Sequence, residues 1–217
     1  MTSVSRTKKK TTPGVKKDEN AYHHGNLREA IVAATLALVE EQGVKAVSIR
    51  EIAKRLGVSP GAPFRHFASK KALLTAVATE AMESFCAAIQ KEIDASPDGT
   101  PADGLRAIGR GYLRWALKNR AQFAIISNRD EIEFAKGDHL SELSEGVMEQ
   151  MNPFILGLFP DTDGKDLAAR RLACRALVYG LARMAIDRHY EEWNISQAKE
   201  LQTVERVLDQ FIEMVTR

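Results

Sequence analysis

The chain has 217 residues, of which 44% are hydrophobic and 28% are charged, a composition typical of a soluble globular protein with a substantial core. No run approaches the roughly 18 apolar residues of a membrane span, and the polar N-terminus lacks the apolar stretch of a secretory signal. We therefore expect a cytoplasmic protein with no membrane partner, and the formal net charge of +2 does not contradict this.

The charge is unevenly distributed along the chain. Residues 1–75 contain 14 Lys and Arg against 6 Asp and Glu, whereas residues 76–217 contain 17 against 23. A basic first third followed by an acidic remainder indicates a region that binds a polyanion, attached to a body with another role.

The first 24 residues show no apolar periodicity and contain five lysines, so we predict a disordered basic arm over residues 1–24. Such an arm either contacts DNA or only keeps the protein soluble, and the sequence leaves both readings open. The lysines are Lys8, Lys9, Lys10, Lys16 and Lys17.

Metal and cofactor sites are not indicated by the sequence. The adjacent His23 and His24 cannot both face one metal from a helix. Cys86 and Cys174 are isolated within apolar helical patterns, so we expect reduced, buried thiols rather than a disulfide. We expect no metal and no cofactor.

The first predicted helix begins after Asn26 as its N-cap and ends near Gly43. A second, short helix follows, for which Ser48 and Glu51 have the spacing of a capping box. Gly57 is expected to end it in a left-handed backbone. The apolar positions that define the two helices are Leu27, Ile31, Ala34 and Leu38, then Ile49, Ile52, Ala53 and Leu56.

Ser59 and Pro60 then predict an N-cap with proline at the first helical position, opening another short helix over residues 60–66. Two short helices joined by a glycine-containing turn make a helix-turn-helix, whose second helix enters the DNA major groove, although the same pattern occurs as a corner in other helical proteins. Pro63 cannot donate to the Ser59 carbonyl, so the second helix is expected to be short or tightened in its first turn.

The rest of the chain is predicted to be helical throughout. Ser69 caps a long helix that runs to about Ala95, and SPDGTP (96–101) breaks the pattern. Helices are then expected over residues 104–118, 121–126, 140–158, 165–190 and about 201–215, with an irregular segment over 128–137.

The last two helices suggest self-association as a four-helix bundle, although the same apolar positions could pack within one subunit. The final helix repeats apolar residues at spacings of three and four, a coiled-coil-like seam. The expected dimer interface consists of Ala176, Gly180, Leu201, Val204, Leu208, Phe211 and Val215.

Residues 27–85, with AIVAATLALVEEQGVKAVSIREIAKRLGVSPGAPFRHFASKKALL at their centre, resemble the DNA-binding domain of the TetR family of bacterial transcriptional repressors. Residues 104–126 and the stretch around Tyr22-His23-His24-Gly25-Asn26-Leu27 resemble the subgroup whose C-terminal part is called a WHG domain. The resemblance implies an all-α homodimer with a helix-turn-helix domain over 25–85 and an effector-binding and dimerisation domain over 86–217, in about nine helices.

The N-terminal part of the second helix of such a motif faces base edges, and neighbouring groups hold the phosphates. Arg65 is the side chain of that helix able to make a bidentate contact to guanine. Phe64 stands where the family usually has tyrosine, and it has no hydroxyl with which to contact a phosphate. The predicted DNA-binding residues are Ser48, Arg50, Ser59, Pro60, Gly61, Ala62, Phe64, Arg65, His66 and Lys70.

An aromatic and methionine stripe in the body is either plain core or the lining of an effector cavity. Its members are Trp115, Phe123, Met148, Met151, Phe154, Cys174 and Tyr179.

Three functions are compatible with these features to different degrees. A dimeric repressor would be released from palindromic double-stranded DNA by a small-molecule effector. An adaptor of the same fold would bind another protein through its acidic body. A helical enzyme is disfavoured, because the sequence has no Ser/His/Asp set, metal-ligand cluster or phosphate-binding glycine loop, and His139 and His189 are isolated among acidic residues.

Overall fold

The computed structural model describes residues 19–96 and 99–216, and the side chains from Leu27 onward within them. These residues form nine α-helices, joined by turns and short 3₁₀ segments, and contain no strand. The helices are α1 Glu19–Gln42, α2 Ile49–Arg55, α3 Lys70–Asp94, α4 Pro101–Lys118, α5 Arg120–Ser127, α6 His139–Glu149, α7 Asn152–Leu158, α8 Gly164–Ile186 and α9 Gln197–Val215.

The N-terminal head consists of α1, α2 and the beginning of α3. Its core includes the fully buried Ile31, Leu38 and Ile52, which the helical spacing predicts to be apolar, together with Leu73 and Leu74 of α3. The first helix begins at Glu19, so Asn26 lies within it and does not cap it, and residues 19–24 are helical rather than disordered. The five lysines of the predicted arm lie outside the described residues.

The long helix α3 connects the head to the body, and Ser69 caps it by accepting from the Ala72 N–H at 3.0 Å, as the sequence predicted. Within the part of the chain that is described, it is the one helix long and apolar enough to cross a membrane by length and composition. Its apolar residues, including Val77, Phe85 and Ile89, are instead buried against α4, α5 and α6. A core helix of this kind passes the same composition test.

Helix α4 is the centre of the body and packs against α3, α7, α8 and α9. Two glycines allow two of these close contacts. A Cβ at Gly111 would lie 2.8 Å from the Ile89 Cα of α3, and a Cβ at Gly109 would lie 2.7 Å from a methyl of Leu208 on α9. Helix α4 begins with a complete capping box between Thr100 and Asp103.

Two further predicted helix boundaries, both in the body, are wrong. The single helix expected over residues 140–158 is divided into α6 and α7, because Pro153 has no N–H to continue the hydrogen-bond ladder. Helix α8 ends at Ile186, before a 3₁₀ segment over His189–Trp193 that is flanked by Arg188 and Asn194 in left-handed conformations.

Candidate nucleic-acid interface and body cavities

The turn between the two short segments of the head has the geometry of a Schellman motif. Gly57 has φ 65°, its N–H donates to the Lys54 carbonyl at 3.1 Å, and the Val58 N–H donates to the Ala53 carbonyl at 3.0 Å. Because a left-handed backbone suits glycine, the sequence fixes a sharp reversal here. The reversal points the following segment away from α2.

The predicted capping box at the start of α2 is not formed. Ser48 has the extended backbone of an N-cap residue, but its hydroxyl makes no capping hydrogen bond. Glu51 instead accepts from Arg55 Nε at 3.4 Å, and Arg55 is held more firmly by Glu41 at 2.7 Å. The Arg55 guanidinium lowers the pKa of Glu41 by hydrogen bonding to its carboxylate. Arg55 is therefore a structural arginine, and the exposed Ser48 hydroxyl is available to other groups.

Residues 59–67 form overlapping turns and a 3₁₀ segment over Pro63–Arg65 rather than an α-helix. The N–H groups of Ala62, Arg65 and His66 each donate to the carbonyl three residues earlier, at 2.9 to 3.2 Å. Pro63 is buried and has no N–H, so an α-type bond to the Ser59 carbonyl cannot form there. The tightening that Pro63 predicted is confirmed up to His66, whereas the Phe67 N–H donates to the Pro63 carbonyl four residues earlier at 3.0 Å.

Most of the predicted contact residues are exposed on the head. Phe64 is 49% exposed, an unusual state for an aromatic side chain, whereas its neighbour Pro63 points inward. An exposed ring there offers apolar contact to sugars or thymine methyls rather than a hydrogen bond. The exposed members are Ser48, Arg50, Ser59, Pro60, Gly61, Phe64, Arg65 and His66, and Ala62 and Lys70 are half-buried.

The cations of this surface differ in whether a protein carboxylate already neutralises them. Throughout residues 19–96 and 99–216, no carboxylate pairs with Arg50 or Arg65. Lys70, in contrast, lies 2.9 Å from Glu131 and donates to the Lys45 carbonyl at 3.0 Å. Lys45 and Lys54 are also exposed on the head, and sequence reasoning did not select them although their charge was visible. A phosphate therefore competes with Glu131 for Lys70 but meets no such competition at Arg50 or Arg65.

Two of the cavities in the described part of the body contain predicted ligand residues, and these residues fall into three groups. Met148, Met151 and Cys174 line a small apolar cavity of about 30 Å³. Phe123 and Tyr179 line a larger cavity of about 350 Å³ between α3, α4, α5 and α8. Burial raises the pKa of the Cys174 thiol, which keeps it protonated and weakly nucleophilic.

Trp115 and Phe154 line neither cavity, which corrects their assignment. Trp115 packs edge-on against Phe85 with ring centroids 5.1 Å apart, and its indole N–H donates to the Ser84 hydroxyl at 3.1 Å. The Phe154 ring lies directly over Gly104 and fills the space of a side chain there. Sequence reasoning missed two arginines of the larger cavity, Arg129 and Arg175.

The residues of the predicted dimer interface on α8 and α9 differ in burial. Val204 and Leu208 are buried within the subunit, so they belong to its core and not to an interface. Leu201 and Ala176 are exposed, and Gly180, Phe211 and Val215 are half-buried. Three large apolar side chains that the sequence did not single out are also exposed near the same helices, namely Leu172, Trp193 and Met214.

The isolated histidines have carboxylate neighbours and no metal-like surroundings. His139 lies 3.1 Å from Glu83, and His189 lies 3.4 Å from Glu192. Among the described side chains, no three His, Cys, Asp or Glu lie close enough to hold a metal ion.

Two family profiles match the chain. The profile described as bacterial regulatory proteins, tetR family, matches residues 31–77, and the profile described as tetracyclin repressor-like, C-terminal domain, matches residues 105–211. The HTH-type transcriptional regulator BetI of Serratia proteamaculans is 36% identical over 84 residues, which are 39% of this chain. The match spans only 42% of that relative's length.

Solved structures share the fold. A bacterial regulatory protein in the tetR family from Rhodococcus RHA1 has a TM-score of 0.68 at 24% identity, covering 87% of this chain and 96% of its own. The TetR family transcriptional regulator PfmR from Thermus thermophilus has a TM-score of 0.66 at 18% identity, covering 88% of this chain and 95% of its own.

Proposed function

The chain belongs to the TetR family of bacterial regulatory proteins, and we propose that it is a DNA-binding transcriptional repressor that acts as a homodimer in the cytoplasm. The observation that carries the proposal is the outward segment after Gly57, where Arg65 is exposed; no carboxylate of the described residues pairs with it or with Arg50 on the preceding helix. Arg65 would read guanine, and Arg50, Ser48 and His66 would hold phosphates.

A dimer is expected because one such head contacts too few base pairs to be specific. Two heads related by two-fold symmetry read half-sites about 34 Å apart or a multiple of that distance, which makes the operator a palindrome. The exposed residues Ala176 and Leu201, with the half-buried Gly180, support α8 and α9 as the dimer surface. The resemblance of residues 104–126 to the WHG subgroup stays a prediction.

A small-molecule effector would release the operator by binding better to a conformation in which the two heads are wrongly spaced. The cavity of about 350 Å³ supports this reading over a protein-binding adaptor, because pockets for small ligands begin at about this size. We expect neither enzymatic activity nor a membrane partner.

The proposal is tested by incubating the purified full chain with a library of genomic DNA fragments and sequencing the DNA that it retains. Enrichment of palindromic sites, together with a dimer in sedimentation velocity, is the expected result. A subunit that sediments as a monomer and retains no duplex even at low ionic strength would exclude the proposal. The attraction between protein cations and DNA phosphates is strongest under those conditions.

A further inference from the structure

The larger body cavity has an aromatic wall. Tyr112 and Phe123 approach edge-on with centroids 5.8 Å apart, and Phe123 and Tyr179 are 6.0 Å apart. Phe85 continues the wall, packed at 4.9 Å against Tyr112. Met82 and Ile126 add aliphatic surface. Such a lining is suited to a flat apolar group, because aromatic side chains bind other rings edge-on or offset.

Two guanidinium groups belong to the same lining. Arg129 comes from the 3₁₀ segment after α5, and Arg175 comes from the middle of α8. The described residues that line this cavity include no Asp or Glu. Partial burial lowers the pKa of Arg129, and the neighbouring positive charge of Arg175 lowers it further.

Arg129 is held by weak contacts and forms no ion pair with a carboxylate of the described residues. Its guanidinium carbon lies 3.4 Å from the centre of the Phe134 ring, and Nη2 lies 3.4 Å from the Ser144 hydroxyl. Asp138 is the acidic group whose charge acts on Arg129. That carboxylate already accepts from the Ala135 and Ser141 N–H groups at 2.6 and 2.7 Å, as the N-cap of α6.

Arg175 is more isolated still, since it forms neither a hydrogen bond nor an ion pair with the described part of the chain. The three arginines of α4 are different. Arg106 and Arg110 pair with Asp209, and Arg114 pairs with both Glu92 and Glu205. Each arginine of α4 is therefore in ion-pair contact with a carboxylate, whereas neither cavity arginine forms such a pair with the described residues.

We propose that the larger cavity binds an organic anion, a carboxylate, sulfonate or phosphate carried on a flat apolar body, with Arg129 and Arg175 as its counter-charges. Two cations held together at the edge of an apolar space are unfavourable until an anion joins them. Charge-assisted bonds from guanidinium to oxyanions are short and strong, and they select anions over neutral analogues. This inference gives the chemical class of the proposed effector and so rests on the proposed function.

The experiment uses two fluorescent probes that differ chiefly in the anionic group, 8-anilino-1-naphthalenesulfonate and the neutral N-phenyl-1-naphthylamine. Both are titrated into the full chain, and into the variant in which Arg129→Gln and Arg175→Gln are combined. Lys91→Gln is the control, because it removes one positive charge from the exposed end of α3, outside the cavity lining.

The double variant is expected to bind the sulfonate about tenfold more weakly, the loss expected from a charge-assisted contact, while the neutral probe binds as before. The control should leave both affinities unchanged. A second variant, with lysine at both positions, keeps the charges and is expected to recover part of the sulfonate affinity.

Two results would overturn the inference. One is equal sulfonate affinity in the wild type and the double glutamine variant. The other is an equal loss of affinity for the anionic and the neutral probe that lysine at the two positions does not restore. The arginines would then contribute only to packing. Neither measurement involves DNA, so failure of the operator experiment and failure of this one are separate outcomes.

Discussion

Lys70 Nζ lies 2.9 Å from Glu131 Oε2, and this ion pair joins the first residue of α3 to the segment that follows α5. The same lysine donates to the Lys45 carbonyl of the head at 3.0 Å. Two residues before Glu131, the segment carries Arg129 of the larger cavity. A second bond ties it to α3, since the Glu133 N–H donates to the Thr75 hydroxyl at 2.8 Å. One short segment therefore contacts both the head and the cavity.

Glu131→Gln should strengthen DNA binding, because it releases Lys70 for a phosphate. One additional phosphate contact steepens the dependence of log affinity on log salt concentration by about 0.9. Fluorescence anisotropy of a labelled duplex over a range of NaCl concentrations measures the slope. Glu133→Gln is the matched control, being an exposed carboxylate two residues away on the same segment. If both variants steepen the slope equally, the loss of a negative charge from the protein explains the change, and the release of Lys70 does not.

Arg65→Ala should cost specificity more than it costs overall affinity. A bidentate contact to guanine is worth about 1–3 kcal/mol of discrimination, so operator affinity should fall by roughly 5- to 150-fold while affinity for random duplex falls far less. Competition gel shifts with both DNAs measure the ratio. An equal loss of affinity for operator and for random duplex would instead indicate that Arg65 contacts phosphates.

Gly57→Ala should destabilise the fold by about 1 kcal/mol, because φ of 65° places a Cβ in the strained left-handed region. Nothing lies within 4 Å of that Cβ, so the cost is one of backbone conformation and not of packing. Gly61→Ala is the control, since its Cβ also meets open space but its φ is not positive. Denaturant unfolding should separate the two variants, and equal midpoints would contradict the Schellman assignment.

Gly180→Glu should give monomers and thereby weaken operator binding. A side chain at Gly180 meets nothing within 4 Å in the isolated subunit, so only a partner subunit would exclude it. Gly146→Glu on α6 makes the same change at another helical glycine with open space around it, and it should remain dimeric. Sedimentation velocity decides between them. If the Gly180→Glu variant remains a dimer, the interface lies on a face other than that of Gly180.

The sequence determined the features that depend on neighbours along the chain. Helical spacing predicted the α-helices of the head and most of those of the body, with boundary errors at α1, within residues 140–158 and at the end of α8. Gly57 and Pro63 predicted the turn and the tightened segment after it, because backbone conformation and a missing N–H are local properties. The DNA-contact residues chosen from that local geometry and from the family resemblance stay a prediction.

The tertiary structure decided what depends on which surfaces meet. Periodicity identified Val204, Leu208, Trp115 and Phe154 as apolar but could not say that their own subunit covers them. The partner of Lys70 lies 61 positions away in the sequence, and the two cavity arginines come from different helical segments. An ion pair or a cavity depends on distances through space, and these are set only when the helices pack against one another.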